Sequence, residues 1–130
     1  MNLIVNARSR EALQATAEKI RVETGVRVTA IAVDVTTEAG RRAVLAACLD
    51  PDILISNAGG PPPGDFRNAS RDDWVRAFDA NMLTPISLIR AVIDGMVDRR
   101  FGRIVNITTS GGYLTGQNIV LDGGSYPGLM

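Results

Sequence analysis

The residues of this 130-residue chain that can do chemistry stand mostly at the ends of apolar runs. Ile53-Leu54-Ile55 runs into Ser56-Asn57-Ala58-Gly59-Gly60, an amide followed by residues small enough to let a ligand approach the backbone. Asp34 closes a β-branched run that begins at Val26 and precedes a helix cap at Thr36 or Thr37. Arg8 follows the short run Leu3-Ile4-Val5. The run from Gly102 to Thr108 leads to Thr109 and Ser110, and either hydroxyl can donate to a carbonyl oxygen. Asn81 sits inside a helical pattern, where asparagine has no propensity advantage. Each has a plainer reading beside the functional one. Asn57 to Gly59 also fits an ordinary strand-to-loop turn, and Asp34 an Asx turn or a helix-entry charge. Arg8 also fits a solvated surface, and so does Asn81.

Composition removes whole classes of chemistry. There is no histidine, so imidazole triads and the commonest zinc ligand are excluded. Cys48 is the only cysteine; it reads as a small hydrophobe on a helix, forms no intrachain disulfide, and fits a reducing, cytoplasmic location. Lys19 is the only lysine. A net charge of zero gives no electrostatic footprint for nucleic acid or an anionic membrane, so neither is expected as a partner. No apolar run approaches the roughly 18–20 residues that span a bilayer, and Met1 to Val5 is too short for a signal peptide. With 45% hydrophobic and 22% charged residues, the profile is that of one soluble globular domain.

The elements that must position these groups alternate between strand and helix. Leu13, Ala17 and Ile20 form the inner stripe of a first helix after Ser9, stopped by Thr24-Gly25. Val44, Leu45 and Cys48 face inward on a second helix, which Pro51 ends. Ser70 caps a long third helix, with Asp73 at the capping-box position. Trp74, Phe78, Met82, Ile89, Val92, Ile93 and Met96 are expected to be its buried stripe, and Pro85 to kink it. A last strand is expected at Asn118 to Leu121. Such alternation predicts βαβ units, a parallel sheet and a Rossmann-like doubly wound α/β fold. The stretch between Thr109 and Asn118 is too short for the crossover of about 12 residues that two parallel strands need.

These motifs resemble the short-chain dehydrogenase/reductase family. Residues 1 to about 110 resemble its second through fifth strands. Residues from about 112 onward, with Tyr113 to Asn118 and Leu121-Asp122-Gly123-Gly124, resemble its last strand and tail. The nearest subgroup is 3-oxoacyl-carrier-protein reductase-like, whose turn resembles Asn57 to Gly64 and whose tail resembles Tyr126 to Gly128. The resemblance implies that Asn57, Ala58 and Gly59 pack against the cofactor's adenosine ribose, that Asp34 meets the adenine amino group, and that Val35 covers the ring. It implies a catalytic Asn81 that bends its helix and holds a water in the proton relay. It places Thr109 or Ser110 on the substrate carbonyl, with Ser110 favoured. An arginine at position 8 favours the 2′-phosphate of NADP, with NAD as the alternative. The implied reaction is reduction of a small carbonyl or acyl thioester, and the implied assembly is a homo-oligomer.

Two family hallmarks are missing. No Thr-Gly-x-x-x-Gly-x-Gly loop occurs in the sequence, and no Tyr-x-x-x-Lys: Tyr113 is followed four residues later by Gln117, and Tyr126 by Met130. Laid on the family order 3-2-1-4-5-6-7, the chain lacks the first and sixth strands. The expectation is a single, incomplete domain over residues 1–130, with an internal excision near 110–112. Two strand pairs and a lone strand should remain, and the chain should be inactive. The rival expectation is a catalytically dead remnant that still associates or binds nucleotide weakly.

Overall fold

The computed structural model describes residues 2–58 and 66–107. The order is β1 (Asn2–Ala7), α1 (Arg10–Thr24), β2 (Arg27–Ala32), α2 (Glu38–Ala47) and β3 (Ile53–Asn57). A 3-10 turn (Phe66–Asn68), α3 (Arg71–Phe78), a π turn (Asp79–Leu83), α4 (Thr84–Asp98) and β4 (Arg103–Ile107) follow. Thr109, Ser110, Gly59 and the expected strand at Asn118 to Leu121 lie outside the described residues.

The strands form two parallel pairs. β1 lies beside β2, with Asn2 opposite Arg27 and Ala7 opposite Ala32. β3 lies beside β4, with Ile53 opposite Arg103 and Asn57 opposite Ile107. Among the described residues no strand joins one pair to the other. In a doubly wound sheet ordered 3-2-1-4-5, removing the central strand leaves these two pairs. The incomplete Rossmann-like sheet expected from the sequence is therefore the one observed.

Local chemistry explains the element ends. α1 stops at Gly25, whose φ of 67° is the left-handed conformation that glycine adopts without strain; its N–H donates to the Arg21 carbonyl. Thr37 caps α2 by accepting from the Gly40 N–H. Ser70 caps α3 in a complete capping box: its hydroxyl accepts from the Asp73 N–H, and the Asp73 carboxylate accepts from the Ser70 N–H. The Ser70 hydroxyl, which also donates to Asp73 Oδ2 at 2.6 Å, the Ser70 N–H and the neighbouring Arg76 hold the Asp73 carboxyl below its ordinary pKa. Val33 and Asp34 have already left the ladder, so the second strand is shorter than the Val26–Val35 run. β1, in contrast, continues through Asn6 and Ala7.

The long helix departs most from expectation. The irregularity at Pro85 takes the form of a π turn: the Thr84 N–H reaches back five residues to the Asp79 carbonyl. Pro85 then sits in the first turn of α4, where a missing N–H leaves no helical bond unmade. The buried row is the expected one only at Val92 and Met96. Ala80, Leu88, Val92 and Met96 are in the core with Thr84 and Pro85, whereas Trp74, Phe78, Met82 and Ile93 are exposed. One extra residue in the π turn rotates the following helix by about 100° relative to the preceding one, so no single stripe runs through. Arg71–Asp98 is also a 28-residue helix long and apolar enough to cross a membrane by length and composition, although the sequence showed no such run. α4 nonetheless packs on β3.

The rest of the core is Leu13 and Ala17 of α1 with Val28 of β2. Leu88 is 6% exposed and Trp74 58%. Leu88→Ala is therefore expected to destabilise the protein by about 2–5 kcal/mol, and Trp74→Ala by under about 0.5 kcal/mol, in urea unfolding. Equal losses would place the core row on the wrong face.

Candidate functional site

The carboxyl ends of three strands gather around one cleft. A volume of about 210 Å³ is lined by Asn6, Ala7, Arg8, Val33, Asp34, Val35, Thr36, Asn57 and Ala58. It thus brings together five of the residues singled out from sequence: Arg8, Asp34, Val35, Asn57 and Ala58. Asn81 is not among its lining residues. A larger apolar groove of about 530 Å³ on the long helix, lined by Trp74, Val75, Phe78 and Leu83 with Arg71 and Asp79, contains none of them.

Asp34 is the most heavily tied residue of the cleft. Its Oδ1 accepts from the Thr36 N–H at 2.9 Å and from the Thr36 hydroxyl at 2.7 Å. This is an Asx turn, so the plainer reading of Asp34 holds as a structural fact alongside its place in the cleft. Its carbonyl accepts from the Thr37 hydroxyl at 2.8 Å and the Thr37 N–H at 3.2 Å. A Cβ at Gly40 would lie 1.9 Å from that carbonyl oxygen, so only glycine lets the first turn of α2 come this close. The Thr36 hydroxyl and N–H hold the Asp34 carboxyl below its ordinary pKa, and the positive charge of Arg8 adds to the effect.

Three contributors were not singled out from the sequence. The Asn6 amide donates to the Ile31 carbonyl at 2.7 Å and the Val33 carbonyl at 3.0 Å. Thr36 supplies the Asx turn. Arg41, on the first turns of α2, donates to the Val35 and Thr36 carbonyls at 3.1 and 2.7 Å and so braces the loop beside Asp34. The available signal for Asn6 was an amide continuing an apolar strand, a poor β-former kept where a side-chain bond replaces ladder bonds.

Asn81 lies in the π turn. Its Nδ2 donates to the Ala77 carbonyl at 2.9 Å, and its Oδ1 is buried without a hydrogen-bond partner among the described residues. The same is true of the Thr84 hydroxyl. A surface position is thereby excluded for Asn81: a buried, unmade acceptor costs about 1–3 kcal/mol, which an exposed amide avoids. On the adjoining pair, the Ser56 hydroxyl donates to Asn106 Oδ1 at 2.5 Å across β3 and β4.

Parallel strands ending in a cleft, with an acid just after one strand and a small-residue turn after another, define the Rossmann-like class of nucleotide-binding α/β proteins. Within that class the chain belongs to the short-chain dehydrogenase family, whose model matches residues 1–121. It is 34% identical over 117 residues to an NADP-dependent 3-hydroxy acid dehydrogenase of Salmonella typhi, covering 85% of this chain and 45% of that protein. It is 44% identical over 61 residues to an acetoacetyl-CoA reductase of Cupriavidus necator, covering 47% of this chain and 25% of that one. The structure superposes on L-sorbose reductase from Gluconobacter frateurii, solved with NADPH and L-sorbose, with a TM-score of 0.71 and 29% identity over 79% of this chain and 41% of that one. A short-chain dehydrogenase from Sphingobium yanoikuyae in complex with NADPH gives 0.72 and 32% over 81% and 42%. The chain thus spans less than half the length of the relatives it matches.

Because its folded pKa is depressed, Asp34 contributes stability that is present above the unfolded carboxylate pKa of about 3.9 and is lost as pH falls through the lower folded value. In Thr36→Val the Asp34 carboxyl is expected to titrate closer to that ordinary value, read by carbon-13 NMR. An unchanged midpoint would show that Thr36 is not the main cause.

Proposed function

We propose that this chain is the adenosine-binding portion of an NADP(H)-dependent carbonyl reductase whose substrate is a 3-oxoacyl thioester or a similar small carbonyl compound. The observation that carries the reading is the cleft that unites Arg8, Asp34, Val35, Asn57 and Ala58. Their chemistry suits one half of a dinucleotide. The Asp34 carboxylate keeps Oδ2 for an amino group while Oδ1 is spent on Thr36. Val35 offers an apolar surface to a ring, and Ala58 permits close backbone approach at the ribose, with Gly59 next in sequence. The exposed Arg8 guanidinium supplies the positive charge that a 2′-phosphate requires and a ribose hydroxyl does not; NAD is the alternative cofactor. The described residues therefore fit the adenosine side of the cofactor. When bound, the nicotinamide would supply the redox chemistry. Ser110 or Thr109 would donate a hydrogen bond to the substrate carbonyl, and the unmade Oδ1 of Asn81 would hold a proton-relay water.

The same reading holds that these 130 residues do not turn over by themselves, since no tyrosine is paired with a lysine as general acid. An internal excision near 110–112 accounts for that loss and for the short Thr109–Asn118 stretch. A reducing cytoplasm is the proposed compartment.

A second reading, association without chemistry, is favoured by one specific observation. The long helix exposes Trp74 (58%), Phe78 (51%), Met82 (49%), Ile86 (41%) and Val97 (65%) to solvent. A homo-oligomer would cover the apolar groove lined by Trp74, Val75, Phe78 and Leu83, since exposed apolar patches mark interaction sites.

Calorimetric titration with adenosine 2′,5′-bisphosphate tests the first reading. Saturable binding is expected, weakened by about tenfold or more in Arg8→Ala through loss of a charge-assisted bond, with no NADPH oxidation in the presence of acetoacetyl-CoA. Absence of binding would overturn it. Sedimentation tests the second: the chain is expected to be at least dimeric and Met82→Glu monomeric, and a monomeric parent chain would dismiss it.

A further inference from the structure

Arg8 and Asp34 carry opposite charges on the walls of one small cleft, yet among the described residues Arg8 forms no ion pair. Something in the fold keeps them from closing on each other, and Asn6 is placed to do so. It stands opposite Ile31 in the ladder, two residues before Arg8. β2 ends at Ala32, so Val33 has left the strand and its carbonyl has lost the support of the ladder. The Asn6 amide supplies that support, with one N–H bonded to the Ile31 carbonyl at 2.7 Å and the other to the Val33 carbonyl at 3.0 Å.

This amide cannot reverse. Both partners are carbonyl oxygens, and a flip would set Oδ1 against two acceptors. The side chain is therefore a fixed brace between the segment that carries Arg8 and the residue directly before Asp34. On the far side, Thr37 bonds the Asp34 carbonyl, and α2 approaches it so closely that Gly40 has no room for a Cβ. Asp34 is thus held from both sides.

We propose that Asn6 is a positioning residue for charge selection: its amide clamps Val33, holds Asp34 apart from Arg8, and leaves the guanidinium to a phosphate on the adenosine ribose. This rests on the nucleotide-binding reading for its ligand, but not for the clamp itself. Without the clamp, Val33–Asp34 relaxes toward Arg8, the two charges pair, and the phosphate loses its partner.

Two measurements on the 130-residue chain test this. In the first, affinities for adenosine 2′,5′-bisphosphate and adenosine 5′-monophosphate are compared by calorimetry. The preference for the bisphosphate is expected to fall by about tenfold in Asn6→Leu, the scale of one charge-assisted bond. It is expected to return in Asn6→Leu/Asp34→Asn, because the competing charge is gone; a merely structural role for Asn6 gives no such rescue. An unchanged preference in Asn6→Leu, or no recovery in the double variant, overturns the proposal. The second needs neither nucleotide nor a folded Asn6 variant. Asp34 carboxyl titrations by carbon-13 NMR are compared in the parent chain and in Arg8→Ala, and only a slight rise is expected, because the Arg8 charge is the least of the influences that lower this carboxyl. A rise of about one unit or more in Arg8→Ala would mean that the ion pair is already formed, and the clamp fails. If neither nucleotide binds the parent chain, the nucleotide reading falls while this second comparison still decides the clamp.

Discussion

Parallel pairing is the constraint on which the rest of this structure depends. In a parallel ladder every strand finishes at the same side of the sheet, so residues far apart in sequence are delivered to one rim. Here Ala7 ends opposite Ala32, and Asn57 opposite Ile107. The residues just beyond these ends, Arg8, Val33 to Thr36 and Ala58, line the cleft together with the last strand residues Asn6, Ala7 and Asn57. No single stretch of chain carries the site; the register does. The same register explains why the cleft persists although two strand pairs stand without a connecting strand among the described residues. Each wall is fixed within its own pair or by the helix that follows it, through Asn6 across β1 and β2 and through Thr37, Gly40 and Arg41 of α2.

How much of this was legible in the sequence depends on the range of the interactions. Signals that act within four residues read correctly: the Gly25 stop, the Thr37 cap, the Ser70–Asp73 box. Strand alternation with helices was enough for the sheet class; the two pairs followed from the strand order that the family resemblance implied. The cleft residues followed because strand ends are where ligands bind. Asn6 did not, since its purpose lies in two carbonyls 25 and 27 residues away. Read locally, an asparagine after Leu3-Ile4-Val5 looks like the end of a strand. In the structure it is a strand residue whose side chain extends the ladder past the point where β2 stops.

Of the expected buried row of the long helix, Val92 and Met96 hold, whereas Trp74, Phe78 and Met82 failed for a different reason. Periodicity locates an apolar face only while the period is constant. Trp74, Phe78 and Met82 keep step with each other, and so do Leu88, Val92 and Met96, but the π turn at Asp79–Leu83 lies between the sets. The sequence displays both apolar rows and cannot say that they face different ways. The tertiary core takes the second, because α4 is the segment that packs on β3. The first is left on the surface.

The π turn also explains why Asn81 is more than an awkward residue in a helix. A regular helix there would bond each carbonyl four residues on, and Pro85 would leave one of them unmet. Inserting a residue moves Pro85 into a first turn, where its missing N–H matters little, and the Thr84 N–H is satisfied at Asp79. What the insertion does not satisfy is the Asn81 Oδ1 or the Thr84 hydroxyl, both buried. Alanine at position 81 would remove an orphaned acceptor and favour the helix. A fold under selection for stability alone has no reason to keep the amide. At this turn the amide is therefore a local cost to the helix, made up only in part by its bond to the Ala77 carbonyl.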